Sequence, residues 1–301
     1  MGVTLLGDRP EVRSEPLPGS GRSPDPGPEW PHRYRDDVPT ATAADGTVLS
    51  YDIAGSGPPL ILVHGITESG RTWDPLLGAL TRNHRVVTVD LRGHGRSGSA
   101  PPYDLATFAA DVNSIAVSAG MGPEAVLVGH SLGGLVVTAY AAAFACRAVV
   151  NVDQPLDLAG FQTAVNELAP MLQGDEATFR QTILAVFDSM RGPLSDADSA
   201  RIAGIRRPIQ AVVLGIWAPL IGPSTAELDA LVRSVGSAVA VPYLALHGID
   251  PGPDYRAWLT ELIPTAIVEI WPDHGHYPHL VDSPRFLQRL AEFEQSLPNE
   301  A

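Results

Sequence analysis

The sequence predicts an α/β fold with a mostly parallel central sheet flanked by helices. Short apolar runs rich in Val, Ile and Leu are typical of strands buried on both faces of a parallel sheet. Longer stretches with helical periodicity separate these runs, as in successive βαβ units. The predicted strands are 48–53, which alternates like an edge strand, and 60–64, 85–90, 125–129, 148–153, 241–246 and 266–271.

The alternation of strands and helices stops near residue 154. Residues 155–238 show helical periodicity without a clear strand, which predicts an inserted helical cap at 154–238. The core is then made of residues 40–153 and 239–301. Its predicted helices before the cap are 73–82, 105–119 and 132–145.

Residues 1–39 are rich in proline, glycine and charge, and such a segment cannot bury enough apolar area to order itself. We therefore expect a flexible leader, with Trp30 and Tyr34 as candidate anchors on the core. The segment lacks the basic start of a signal peptide, so we expect a cytoplasmic protein.

Composition limits the classes of function. The 301 residues carry a formal net charge of −14, which disfavours nucleic-acid binding. No apolar run approaches the roughly 20 residues of a membrane span. The single cysteine, Cys146, cannot form an internal disulfide, and we expect it to be a buried small side chain. We expect the partner to be a small-molecule substrate, and the sequence leaves the choice between a monomer and a homodimer open.

The most informative motif is Gly-His-Ser-Leu-Gly at 129–133, between a predicted strand and a predicted helix. Gly-x-Ser-x-Gly in this setting is the nucleophile elbow, where small residues on both sides of the serine permit a very tight turn. The start of the helix behind the serine favours negative charge. Ser131 is therefore the candidate nucleophile.

Three further motifs occur in a fixed order: His-Gly at 64–65, Asp-Leu-Arg-Gly-His-Gly-Arg-Ser at 90–97, and Gly-His at 275–276. Together with the elbow, they make residues 45–153 and 240–297 resemble the α/β-hydrolase superfamily. The resemblance implies an α/β-hydrolase fold with a cap between the sixth and seventh strands. It also implies a serine-nucleophile esterase or lactonase.

His276 is the candidate general base, because it follows the last predicted strand and the order Ser…Asp…His fits the superfamily. Free imidazole, with a pKa of about 6.5, can take a serine proton and return it to a leaving group. The spacing of His274, His276 and His279 beside Asp273 also suggests a metal site, but no set of ligands completes a coordination sphere. We therefore expect neither a metal nor a cofactor.

The acid partner of the histidine has two main candidates. The superfamily places it after the seventh strand, three residues beyond a glycine, whereas Asp250 stands two residues after Gly248. Asp153 lies at the end of the sixth strand, just ahead of Pro155. Zearalenone lactonases, which the chain resembles there, carry their acid at that strand end. We favour Asp250 slightly over Asp153, with Asp254 third.

Two backbone N–H groups are expected to form the oxyanion hole, one from Leu132 and one from Ile66. His64 and the 90–97 run are expected to be structural. Aromatic and apolar residues of the cap, with one aromatic residue beside the histidine, are the candidates for the substrate pocket: Phe187, Met190, Trp217 and Tyr277.

These assignments predict a serine hydrolase that cleaves a carboxylic ester or lactone of a small, mainly apolar substrate through an acyl-enzyme. Carbon–carbon bond hydrolysis and cofactor-free perhydrolysis are alternatives on the same triad. The first is disfavoured because residues 66–70 read Ile-Thr-Glu-Ser-Gly rather than a glycine-rich run. A non-enzymatic ligand sensor on this fold is a further alternative, which slow turnover with tight ligand retention would favour.

Overall fold

One eight-stranded sheet lies at the centre of the structure, a computed structural model that describes residues 38–298. The predicted leader, with Trp30 and Tyr34, lies outside the described residues except for its last two positions. The strands are β1 (Thr40–Thr42), β2 (Val48–Ala54), β3 (Pro59–Val63), β4 (Arg85–Val89), β5 (Val126–His130), β6 (Ala148–Val152), β7 (Tyr243–His247) and β8 (Ala266–Ile270).

The strand order is β1-β2-β4-β3-β5-β6-β7-β8. β2 pairs antiparallel with both of its neighbours, and all other pairs are parallel. Helices follow most of the parallel strands, so both faces of the sheet are covered. A 3₁₀ turn at Gly70–Trp73 leads into α1 (Asp74–Leu80). The other helices are α2 (Leu105–Ser118), α3 (Leu132–Ala143), α4 (Ala159–Leu172), α5 (Glu176–Met190), α6 (Asp196–Ile205), α7 (Gln210–Ile221), α8 (Thr225–Gly236), α9 (Tyr255–Leu262), α10 (Pro278–Val281) and α11 (Ser283–Ser296).

Each parallel strand contributes side chains to two apolar layers, one on each side of the sheet. In β3, Ile61 and Val63 belong to one layer, and Leu60 and Leu62 belong to the other. All four side chains are completely buried. Burial of such a side chain stabilises the folded state by about 1.5–3 kcal/mol, which explains why these runs contain no polar alternation.

The predicted α/β-hydrolase fold is confirmed, and the seven predicted strands occur within two residues of their expected bounds. β1 was not predicted, because Thr-Ala-Thr has no apolar run. It exists through its pairing with β2, in which Thr40 lies opposite Ser50.

Five helices, α4–α8, lie between β6 and β7. Polar side chains at their starts explain where several of them begin. Asp175 accepts a hydrogen bond from the N–H of Thr178, and Ser195 accepts one from Asp198. Ser224 forms a capping box with Glu227.

Within residues 38–298, no single helix is both long and apolar enough to cross a membrane. α7 and α8 reach that length and composition only as a pair, and the pair is bent by 102°.

The parallel register brings the carboxyl ends of neighbouring strands together at one edge of the sheet. Val63 lies beside Gly129, His130 beside Val152, and Val152 beside Leu246. The loops that follow β3, β5, β6 and β7 therefore begin side by side, which is where ligands bind in parallel sheets.

A histidine on the opposite side of the core generates a stability prediction. His84 Nε2 lies 3.0 Å from Glu294, in α11. The hydrogen bond to Glu294 raises the pKa of His84 above its ordinary value of 6.5, although burial acts to lower it. Since the folded-state pKa is raised, the ion pair stabilises fully below about pH 6.5 and is lost as the pH rises through the folded pKa.

We expect His84→Gln to remove about 0.5–1 kcal/mol of stability at pH 6 and much less at pH 9. Urea unfolding of the variant and the wild type at both pH values measures the difference. Glu294→Gln should behave in the same way. An equal loss at both pH values would show that the ion pair is not responsible.

Candidate active site

The serine elbow is shaped by close contacts of backbone with backbone. Ser131 joins β5 to α3 with φ +52° and ψ −124°, a conformation that L residues rarely adopt. A Cβ atom on Gly129 would lie 2.1 Å from the carbonyl oxygen of Gly133. A Cβ atom on Gly133 would lie 2.3 Å from the carbonyl oxygen of Val63. These two positions therefore require glycine, as the motif predicts.

Asp153 holds the imidazole of His276. Its Oδ2 lies 2.7 Å from His276 Nδ1, and its Oδ1 accepts hydrogen bonds from the N–H groups of Gly248 at 2.7 Å and Ile249 at 3.0 Å. Burial acts to raise the pKa of Asp153, but the hydrogen bond and charge of His276 and the backbone N–H of Ile249 outweigh it, so the pKa is lowered. The carboxylate is therefore ionised at neutral pH.

Asp250 does not contact His276. Its side chain is exposed and accepts a hydrogen bond from the N–H of Gly252 at 2.9 Å. The reason is that the preceding residues turn their N–H groups onto Asp153, which directs the chain away before Asp250 is reached. Asp254 is also exposed, at the start of α9. The geometry thus favours Asp153, the second of the two main candidates.

His276 lies in the loop after β8 and is fixed by its own backbone. Its N–H donates to the carbonyl of Met190 at 3.0 Å, and its carbonyl accepts from His130 Nε2 at 2.7 Å. With Nδ1 bonded to Asp153, Nε2 is the nitrogen left for a proton transfer. The hydroxyl of Ser131 makes no hydrogen bond to any described residue, and such contacts are often long before substrate binds.

Two backbone N–H groups beside the serine have no acceptor in the described turns and loops: those of Ile66 and Leu132. Leu132 is the first residue of α3, where the helix dipole is positive. The loop of Ile66 packs on Ser131, since a Cβ atom on Gly65 would lie 3.1 Å from Ser131 Cβ. Both N–H groups are therefore placed to donate hydrogen bonds to a negative charge that develops on an oxygen beside Ser131.

The other sequence landmarks pin loops together. His64 accepts a hydrogen bond from the N–H of Leu91 through Nε2. Asp90 accepts from the N–H of Gly70 at 2.8 Å, and Arg92 binds Asp111 through two nitrogens. These contacts are structural, as expected.

The four pocket candidates are placed differently from one another. Phe187 and Trp217, on α5 and α7, are each 5% exposed. Met190 is half-buried and contacts His276 through its carbonyl. Tyr277 is buried, and its hydroxyl donates to the carboxylate of Glu68 at 2.5 Å.

Residues between β6 and β7 contact the site, since the N–H of His276 donates to the carbonyl of Met190. Ser131 and His276 are only 8% and 7% exposed. Two clefts on the described surface lie beside α4 and beside β1, and neither is lined by a candidate catalytic residue.

Two remaining candidates from the sequence have other surroundings. Burial raises the pKa of Cys146 to about 12, so this thiol stays protonated. His274 binds the carbonyl of Pro272, and His279 packs on Trp73. In residues 38–298, no three His, Cys, Asp or Glu side chains converge as a metal site.

Sequence reasoning missed a buried set of polar residues beside the site: Glu68, His130 and Arg206. Glu68 is 2% exposed and stands two residues after Ile66. A charged residue so close to an expected oxyanion loop was the available signal.

The fold and the elbow at the carboxyl edge of the sheet define a hydrolase of the nucleophile-elbow class. A family model described as the alpha/beta hydrolase family matches residues 60–289, and the chain belongs to this family. It is 27% identical over 265 residues to a non-heme haloperoxidase of Rhodococcus erythropolis, which covers 79% of this chain and 93% of the relative. It is 29% identical over 214 residues to mouse protein phosphatase methylesterase 1, and the match covers 62% of this chain and 55% of the relative. The solved structure of the esterase RhEst1 from Rhodococcus sp. ECU1013 superimposes with a TM-score of 0.68 at 26% identity. The match covers 87% of this chain and 99% of that chain.

The elbow geometry generates a prediction about stability. We expect Gly129→Ala to destabilise the protein by about 1–3 kcal/mol, since the added methyl group meets backbone that cannot yield. Gly160→Ala is the matched control, because nothing lies within 4 Å of its new Cβ on α4. That variant should be neutral or more stable by up to about 1 kcal/mol. Urea unfolding measures both, and equal midpoints for the two variants would contradict the steric account.

Proposed function

We propose that this hydrolase cleaves carboxylic esters or lactones of small, mainly apolar molecules through an acyl-enzyme on Ser131. The observation that carries the proposal is the 2.7 Å hydrogen bond between Asp153 and His276, one strand away from the serine elbow. An ionised carboxylate at Nδ1 keeps Nε2 unprotonated as a base and stabilises the imidazolium that forms.

In the acylation step, Ser131 Oγ attacks the carbonyl carbon of the substrate. His276 Nε2 takes the hydroxyl proton and then gives it to the departing alkoxide oxygen. The N–H groups of Ile66 and Leu132 donate to the oxyanion, each contributing a few kcal/mol, about 3 by analogy with other oxyanion holes. In the deacylation step, His276 deprotonates a water molecule, whose oxygen attacks the acyl carbon. The bond from that carbon to Ser131 Oγ then breaks, and His276 returns the proton to Oγ as the acid is released.

Burial and charge support a neutral, apolar substrate. The cap residues Phe187 and Trp217 are apolar and buried. Glu68 Oε2 lies 3.6 Å from the position of a Cβ atom on Gly65, the residue that packs on Ser131. Arg206 Nη2 lies 3.8 Å from Glu68 Oε1 and balances this charge, so neither ion of the pair is left to bind a charged substrate. The esterase and the methylesterase to which the chain is similar support an ester bond as the target.

Perhydrolysis is a second candidate, favoured by the similarity to proteins named non-heme haloperoxidases. Hydrogen peroxide would replace water in the deacylation step. Its oxygen attacks the acyl carbon, the bond to Ser131 Oγ breaks, and His276 transfers the proton. The product is a peroxy acid, which can oxidise a halide without a metal in the protein.

The acid assignment gives a direct test. We expect Asp153→Asn to lower kcat on p-nitrophenyl butyrate by about 10³- to 10⁴-fold, because the amide holds the wrong imidazole tautomer. Asp250→Asn is the matched control and should change kcat by less than about two-fold, since its side chain is exposed. Ser131→Ala should abolish the acyl-enzyme, which mass spectrometry of a rapidly quenched reaction detects.

A larger loss in Asp250→Asn than in Asp153→Asn would refute the acid assignment. Turnover that survives Ser131→Ala would refute the serine mechanism. If the wild type turned over no ester or lactone in a broad panel, carbon–carbon hydrolysis or ligand sensing would replace the proposal.

The perhydrolysis candidate has its own measurement. We expect acetate, hydrogen peroxide and bromide with the wild type to brominate a β-diketone indicator, with ester hydrolysis remaining faster. The same mixture with Ser131→Ala gives the background. Bromination equal in the two samples would exclude peroxy acid formation on the serine.

A further inference from the structure

A buried charged cluster, here called the Glu68 cluster, lies beside the site and consists of Glu68, Tyr277 and Arg206. Glu68 and Arg206 are 2% and 7% exposed, and Arg206 belongs to the predicted cap, where it directly follows α6. The Tyr277 hydroxyl donates to Glu68 Oε1 at 2.5 Å and accepts from Arg206 Nη2 at 2.6 Å. Glu68 Oε2 accepts a hydrogen bond from the hydroxyl of Thr72 at 2.8 Å. The cluster thus links a core carboxylate to a cap cation through one hydroxyl.

The Glu68 cluster reaches all three loops of the proposed mechanism. Glu68 stands two residues after Ile66, in the oxyanion loop. Tyr277 directly follows His276. The residue before the nucleophile, His130, has Nδ1 at 3.9 Å from Glu68 Oε2 and Nε2 at 2.7 Å from the carbonyl of His276. A displacement of Glu68 would therefore change the contacts of each loop.

The oxyanion loop is strained, and the cap holds it. Thr67, between Ile66 and Glu68, has φ +67°, which is unfavourable for a β-branched residue. The N–H of Arg207 donates to the carbonyl of Thr67 at 2.7 Å. Since Arg207 follows Arg206, the cap contacts this loop through backbone and side chain at adjacent positions.

We propose that Arg206 is a positioning residue for the oxyanion hole. Through Tyr277 and Glu68, it holds Thr67 in its strained conformation and so fixes the direction of the Ile66 N–H. The cap then contributes to stabilisation of the transition state as well as to substrate selection. The inference rests on the proposed function, because the Ile66 N–H matters only if an oxyanion forms.

The expected kinetic signature follows from when the Ile66 N–H acts. It binds the oxyanion of the transition state more strongly than the carbonyl of the substrate, so its misplacement lowers kcat with little change in KM. A displacement of about 1 Å can cost about 10²-fold in rate. A tetrahedral boronate on the serine carries the same negative charge and should lose affinity in parallel.

The test uses Arg206→Met and Tyr277→Phe in the full-length protein. Arg206→Met leaves Glu68 without its cation, whereas Tyr277→Phe keeps both charges and remains informative if the first variant does not fold. We expect each to lower kcat on p-nitrophenyl butyrate by about 10- to 100-fold with KM within about three-fold. The inhibition constant of phenylboronic acid should rise by the same factor as kcat falls. Thermal unfolding confirms that each variant is folded at the assay temperature.

Two matched controls separate positioning from general loosening. Arg201 is also a cap arginine on the core, since it donates to the carbonyls of Arg71 at 3.1 Å and Thr72 at 3.3 Å, but its side chain does not contact Glu68. Tyr51, on the distant strand β2, likewise makes one partly buried hydroxyl contact, to Ser118 at 3.3 Å, which its Phe variant loses. Arg201→Met and Tyr51→Phe should both keep kcat within about two-fold of the wild type.

Three outcomes would overturn the inference. The first is wild-type kcat in folded Arg206→Met and Tyr277→Phe. The second is an equal loss of kcat in Arg201→Met, which would show general loosening of the cap. The third is a rise in KM without a fall in kcat, which would assign the cluster to substrate binding. Ser131→Ala, assayed beside them, distinguishes the two proposals, because turnover that survives it refutes the serine mechanism as well.

Discussion

The site depends on a backbone constraint that recurs in the loops after β3, β5, β6 and β8, at the carboxyl edge of the sheet. Within residues 38–298, four non-glycine residues have φ in the left-handed region: Thr67, Ser131, Asp153 and Asp273. Thr67 lies in the loop of Ile66, and Ser131 lies in the elbow. Asp153 lies beside the ring of His276, and Asp273 lies in the loop that carries His276. Each such residue costs on the order of 1–3 kcal/mol and persists only where its surroundings determine it.

The sheet supplies the surroundings of Ser131 and Asp153. The N–H of Ser131 continues the ladder onto the carbonyl of Val152, and the N–H of Asp153 does the same with Leu246. Ser131 and Asp153 are thus held by the backbone of the next strand, whereas Thr67 is held by the N–H of Arg207. Because this restraint comes from the strands, Ser131 and Asp153 are positioned without a ligand, which is what the proposed reaction requires.

The elbow could be predicted from sequence because its requirement is local. Gly129 and Gly133 are demanded by contacts within a few residues or with the adjacent strand, and a short motif records them. The choice between Asp153 and Asp250 could not be made in this way. Both follow a strand, and what distinguishes them is which carboxylate receives the N–H groups of Gly248 and Ile249, a pairing across 95 residues.

The strands and the helical character of the segment between β6 and β7 were likewise accessible, because hydrophobic periodicity reflects burial. Glu68 alone is indicated by its position two residues after Ile66, but the Glu68 cluster as a whole is not, since its three members stand in separate polar loops and share no spacing. Tyr277 was expected in the pocket as an aromatic residue beside a histidine. Its hydroxyl instead satisfies a buried carboxylate, as a buried polar group must be satisfied.

The buried histidines affect the net charge around the site. Burial lowers the pKa of His94 to about 3 and the pKa of His130 and His247 to about 4. Burial also lowers the pKa of His64 and His279. These rings stay neutral in weak acid, so they add no positive charge beside Glu68 and Asp153. The charge balance of the site then rests on Arg206, which makes a cap residue the permanent cation of a core site.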